Sequence, residues 1–107
     1  MKIKTTLTVG LNDKDAEKQL ISRAEAHDLI AEILISEFSV YAFTALDCAG
    51  VYRMESTGHI IREQSIRVEM VTDGAIENLA DIVSRLKAVL NQETIMVETG
   101  AANVDFL

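Results

Sequence analysis

The sequence predicts an α+β domain: a four-stranded antiparallel sheet with two helices on one face. Three observations carry that expectation. Segments of period two and of period 3.6 follow one another in the order strand, helix, strand, strand, helix, strand. No proline interrupts any of them, and clusters of turn-forming residues stand between them. With 107 residues, 49% hydrophobic and 25% charged, the chain 1–107 reads as one domain with enough apolar mass for a core.

The first strand is written in Ile3, Thr5, Leu7, Val9 and Leu11, which alternate with Lys2, Lys4, Thr6, Thr8 and Gly10. Asn12, Asp13, Lys14 and Asp15 then break the pattern with side chains that bond their own backbone, and a polar loop is expected to about Ile21. Ser22 and Glu25 have the spacing of a capping box, so a helix should start there. From it Ala26, Leu29, Ile30, Ile33, Leu34 and Phe38 recur at three and four residues, leaving an acidic opposite face.

A second strand is expected from Tyr41 through Leu46 and on past Gly50 to Tyr52, with Gly50 marking a bulge or a close approach. Glu55 to Gly58 supplies turn chemistry for a hairpin into a third strand, about His59 to Val71. On that strand Ile66, Val68 and Met70 share one face, and Glu63, Ser65, Arg67 and Glu69 the other. Asp73 and Gly74 are read as opening the second helix, with Ile76, Leu79, Val83, Leu86 and Leu90 inward and an end near Asn91. Thr94 to Val97 forms the last strand, and the tail to Leu107 supplies a further edge or a contact with a second subunit. This order is the split βαβ of the ferredoxin-like fold.

If the helices cover Leu7, Val9 and Ile66, the other sheet face presents Thr6, Thr8, Glu63, Ser65, Arg67 and Glu69. Such a face stays wet, binds a ligand or pairs with another sheet. The apolar residues Tyr52, Ile61, Val71 and Phe106 suit a contact between copies, and a homo-oligomer is expected.

Composition excludes several function classes. Ten basic against 17 acidic residues give a net charge of −7, concentrated in residues 13–37 and in the last fifteen. Direct nucleic-acid binding through a basic face is therefore not expected. The longest apolar run, Leu29 to Ile35, contains Glu32 and is far too short to span a bilayer, so no membrane partner is expected. The start, Met1 to Lys4, is followed by no apolar leader region, and the protein is read as cytoplasmic. The single Cys48 forms no internal disulfide, and with only His27 and His59 beside it a Cys/His zinc site is out of reach, so neither metal nor cofactor is assigned.

Each candidate for chemistry has a plainer reading. His59 and Glu63 would make an acid-base pair if a bulge joined them, but in a regular strand they stand about 13 Å apart. Cys48 has Asp47 beside it and no nearby cation to activate it, and reads as a small strand residue. His27 reads as a helix-surface residue. Asp13, Asp15 and Glu17 look like part of a calcium loop, yet Lys18 and Ala24 stand where glycine and the closing glutamate belong. Arg53, Arg62 and Arg67 are candidate anion contacts, with cross-strand pairing to Glu55, Glu63 and Glu69 as the simpler account. No Gly-rich dinucleotide motif, P-loop lysine or nucleophile elbow is present.

The segments Val9-Gly10-Leu11-Asn12, Asp47-Cys48-Ala49-Gly50-Val51-Tyr52, Gly58-His59-Ile60-Ile61-Arg62-Glu63-Gln64-Ser65 and Asn91-Gln92-Glu93-Thr94-Ile95 come in a familiar order and spacing. They resemble, over nearly the full chain, a family of small uncharacterised proteins of bacteria, phages and prophages. Its marks are a G-x-aromatic, an E-x-S and a Q-E-S/T pattern, with Tyr52 at the aromatic position. The family is a domain of unknown function, so the resemblance implies no activity. It suggests that Glu63 and Ser65 meet Gln92 and Glu93 near one sheet end, beside Tyr52 and Arg62. The result is either a polar pocket or a hydrogen-bonded brace for the last strand.

The function expected from these readings is a non-enzymatic oligomeric binding module. It would hold a small anionic ligand or a protein on the open sheet face or between subunits, with Tyr52, Arg62, Glu63, Ser65, Arg67, Gln92 and Glu93 as the binding candidates. Two alternatives stand beside it. One is a phage anti-defence protein, either an acidic inhibitor of a host nuclease or a sponge for a nucleotide signal. The other is a small dimeric α+β-barrel enzyme using His59 and Glu63.

Overall fold

The computed structural model describes residues 1–107. The first strand, β1 (Lys2–Gly10), runs into a short ladder of β2 (Asn12–Asp13) and β3 (Lys18–Gln19), then α1 (Arg23–Ala31), which continues as a π-helical segment, Glu32–Glu37. The long strands β4 (Thr44–Arg53) and β5 (Ile60–Asp73) form a hairpin, followed by α2 (Leu79–Val89) and β6 (Met96–Ala101). The main sheet has the order β4-β5-β1-β6, antiparallel throughout. This is the ferredoxin-like arrangement expected from the element order, with both βαβ halves interleaved in one sheet.

Alternation decides what the sheet buries. Thr5, Leu7 and Val9 of β1 stand beside Met70, Val68 and Ile66 of β5, and all are enclosed under the helices. Ala26, Ile30, Ile33 and Leu34 meet them from α1 and its extension, and Ile82 and Leu86 from α2. The α1 start is the expected capping box: Ser22 Oγ accepts the Glu25 amide at 3.1 Å, and Glu25 Oε1 faces the Ser22 amide at 3.4 Å.

Several local expectations are corrected. Residues 12–19 are not plain loop: Asn12 pairs with Gln19 and Asp13 with Lys18. The second strand begins at Thr44, and Tyr41 stands fully exposed in the connection before it. Gly50 is neither a bulge nor a close approach, since a Cβ there would meet open space. The close approach is at Gly10 instead, where a Cβ would lie 2.5 Å from Glu63 Oε1 and would displace that carboxylate. The second helix starts at Leu79 rather than near Gly74, whose φ of +79° turns the chain left-handed ahead of it. Ile82, absent from the expected stripe, is at its buried centre. The last strand begins at Met96, two residues later than expected, and takes in the start of the tail.

Candidate binding surface

The face of the sheet away from the helices carries Thr6, Thr8 and Gly10 of β1, with Glu69, Arg67 and Ser65 of β5 directly across. Thr44, Leu46 and Cys48 of β4 flank these on one side, and Met96 and Glu98 of β6 on the other. No helix covers it. Leu46, Tyr52, Val71 and Met96 are exposed apolar side chains on this face, mixed with the polar set the sequence pattern placed there.

Arg67 stands near the middle, in register with Thr8 and Leu46. The chain has five ion pairs: Lys2–Asp73, Lys4–Glu69, Arg23–Asp47, His27–Asp47 and Arg85–Glu37. Arg53, Arg62 and Arg67 take part in none of them, so the expected cross-strand pairing is absent. Glu69 is drawn to Lys4 instead, and Glu63 to a backbone amide. Next to Arg67, Thr8 Oγ1 is enclosed without any hydrogen-bond partner. An unpaired cation and an unpaired hydroxyl thus adjoin on the open face.

At one end of that face, Glu63 Oε2 accepts the Asn12 amide at 2.9 Å, while Gln92 Nε2 donates to the Asn12 carbonyl at 2.7 Å. The two residues hold Asn12 from both sides of its backbone. Gln92 is buried and also donates to the Leu90 carbonyl at 3.3 Å. This geometry is a brace, fastening Asn12 at the start of β2 to β5 and to the turn that follows α2. Glu93 stays exposed outside it. Ser65 is buried, with its Oγ 3.1 Å from Cys48 Sγ. Tyr52 and Arg62 do not share a pocket: Tyr52 pairs with Ile61 and Arg62 with Val51, so alternation sends them to opposite faces of the hairpin. His59 lies exposed in the hairpin turn, away from the Glu63 carboxylate that Asn12 holds.

The acidic loop is organised by an amide rather than by its own carboxylates. Asn91 Nδ2 donates to Asp13 Oδ2 at 2.9 Å and to Asp15 Oδ2 at 2.8 Å, from a backbone φ of +48°. The Ala16 amide, then the Asn91 side chain, hold the Asp13 carboxyl below the usual carboxylate range. No three His, Cys, Asp or Glu side chains gather as a metal-binding group.

Arg23, His27 and Asp47 form a cluster that no sequence pattern marks. His27 Nε2 and Asp47 Oδ1 lie 2.7 Å apart, Arg23 Nη1 is 3.2 Å from the same oxygen, and the Arg23 guanidinium donates to the Ser65 and Cys48 carbonyls at 3.1 and 2.9 Å. It ties the first turns of α1 to the middle of the β4–β5 hairpin. The His27 contact, then Arg23, keep the Asp47 carboxyl below its ordinary value. Positions 23, 27 and 47 carry no joint sequence signal, because their meeting depends on where β4 crosses under α1.

A family model described as "Protein of unknown function (DUF3574)" matches residues 4–106. The chain belongs to this family. The DUF3574 match spans every element from β1 to the tail, the range over which the four motif segments occur. No curated protein sequence matches the chain.

Solved structures similar to this DUF3574 chain share its fold. A phage SAM lyase in complex with S-methyl-5'-thioadenosine superposes with a TM-score of 0.68 at 19% identity, over 92% of this chain and 80% of that one. The periplasmic divalent cation tolerance protein CutA from Archaeoglobus fulgidus gives 0.64 at 14%, over 99% and 88%. A B. subtilis GlnK–ATP complex gives 0.56 at 11%, over 94% and 83%. At these identities the likeness is one of fold. No helix of the chain is long and apolar enough to cross a membrane.

Proposed function

We propose that this chain is a self-associating binding module that holds a small anionic ligand on its open sheet face at Arg67. One observation carries the reading. The Arg67 guanidinium has no carboxylate partner, and its register neighbour Thr8 keeps an enclosed hydroxyl with no hydrogen-bond partner. A guanidinium fork and a hydroxyl side by side suit a phosphate or carboxylate, and such a contact is charge-assisted. The exposed Leu46 and Met96 supply apolar surface on either side. Two of the similar folds were solved with adenosine-containing molecules, S-methyl-5'-thioadenosine and ATP, which makes adenine nucleotides the first probes. Self-association is supported by the exposed apolar residues that no element of the chain covers.

Isothermal titration of ATP, inorganic phosphate and S-methyl-5'-thioadenosine tests the ligand reading. Binding of an anionic probe that weakens about tenfold or more in Arg67→Ala, and less in Thr8→Val, is the expected result. Equal affinities of wild type and Arg67→Ala would sink the site. Incubation with SAM, followed by chromatography of the products, separates a binding module from an enzyme: turnover would replace the first reading by a lyase.

A further inference from the structure

We infer that the tip of the β4–β5 hairpin of one copy seats in the cleft at the opposite end of the next copy, joining subunits head to tail. The inference rests on the self-association proposed above and names the two surfaces that would meet.

The molecule measures 46 × 26 × 24 Å, and its long axis matches the roughly 46 Å that the 14-residue β5 rises. Beyond the Arg23–Asp47 clamp the hairpin strands carry Val51, Tyr52 and Ile60, which are 58%, 49% and 51% exposed. Register puts Val51 and Ile60 on one face and Tyr52 on the other. A flat partner would cover only one of those faces. A ribbon with exposed apolar side chains on both sides, Val51 and Ile60 set among Arg53 and Arg62 on one and Tyr52 on the other, is enclosed on both only by entering a cleft.

Such a cleft exists at the other end of β5. It has a volume of about 490 Å³, ten of its fifteen lining residues are hydrophobic, and it lies between the connections 38–44 and 75–78 and the C-terminal tail. Tyr41 is fully exposed on it and Phe106 is 82% exposed. From Ile60 to Val71 the strand rises roughly 36 Å, so a hairpin cannot reach the cleft of its own chain. Only a second copy can bring the two together.

Charge fits the same pairing. The segments around the cleft, 38–44, 69–78 and 102–107, hold Glu69, Asp73, Glu77 and Asp105 and no lysine or arginine. Lys4 and Lys2 neutralise Glu69 and Asp73, which leaves Glu77 and Asp105. The hairpin tip brings Arg53 and Arg62, both without an ion-pair partner in their own chain, against the single carboxylate of Glu55 in its turn. The contact joins two different surfaces, so it is heterologous and propagates to a closed ring or to a filament.

The test uses light scattering after size exclusion on the full chain and two double variants, with circular dichroism to verify folding. Tyr52→Asp/Ile60→Asp spoils the hairpin, and Tyr41→Lys/Phe106→Lys places like charge against its arginines; all four positions are exposed. Each variant alone should self-associate at least about 100-fold more weakly than wild type. An equimolar mixture of the two should recover a species of twice the monomer mass, because each supplies the surface the other lacks. Arg53→Glu/Arg62→Glu should reproduce the hairpin phenotype if the first pair misfolds. Variants that assemble as wild type does, or two monomeric variants that fail to pair, would overturn the head-to-tail contact while leaving self-association standing. A monomeric wild type would overturn both.

Discussion

Glu63 lies across Gly10, its carboxylate occupying the space a Cβ would need and bonded there to the Asn12 amide at 2.9 Å. The glycine and the glutamate are therefore one device, a strand end kept open so that a carboxylate can reach the next amide. Gly10→Ala should displace Glu63 and destabilise the fold by about 1–2 kcal/mol, and Glu63→Ala by a similar amount. In the double variant the costs should fall short of their sum, since either change alone breaks the bond. Urea unfolding of the four proteins reads the coupling, and strict additivity would show the two residues to be independent.

Gln92 should matter more than its neighbour Glu93. Gln92→Ala removes donors from two backbone carbonyls, Asn12 and Leu90, at a buried position, and an unsatisfied buried acceptor costs about 1–3 kcal/mol. Glu93→Ala, at an exposed site, should stay within about 0.5 kcal/mol of wild type. Equal unfolding midpoints for the two variants would contradict the brace.

Helix initiation offers a local check. Ser22→Ala removes the side-chain acceptor for the Glu25 amide and should cost about 1 kcal/mol, with Ser22→Asp close to neutral. Thermal melts of both distinguish capping from a loss of side-chain volume.

Acid should weaken the structure in a defined direction. The carboxyls of Asp13, Asp47 and Asp73 all lie below their ordinary value of 3.8, held there chiefly by the Ala16 amide, by His27 and by Lys2 respectively. A depressed folded-state value means that stability is fully present above the ordinary value and is lost as pH falls through the lower, folded one. The urea midpoint should therefore hold from neutrality to about pH 5 and then fall steadily. Asp47→Asn should flatten part of that fall. Arg85, raised by Glu37, contributes stability that is lost as pH rises into strong alkali.

The sequence by itself determined the element order, the capping box at Ser22, the hairpin turn at Gly58 and the two-faced character of β1 and β5. Each of these is a local property: period, turn chemistry and cap spacing act within a few residues and are written there. Where the fold departs from the local pattern, packing between elements decides. Tyr41 has strand propensity but no strand partner, and Ile82 is core because it shares the face of Leu79 and Leu86 that α2 turns to the sheet.

Tertiary structure alone decided the partners. Glu63 left the arginines for an amide carried by Asn12, 51 residues away in sequence, and Gln92 reached the same residue across 80. Arg23 and His27 met Asp47 only because β4 passes beneath α1. Hydrogen bonds and ion pairs act over a few ångströms, whereas spacing along a chain does not encode which distant groups come within that reach. The same reason left Arg67 free on the open face: its glutamate neighbours in sequence were claimed by groups that only the folded sheet brings near.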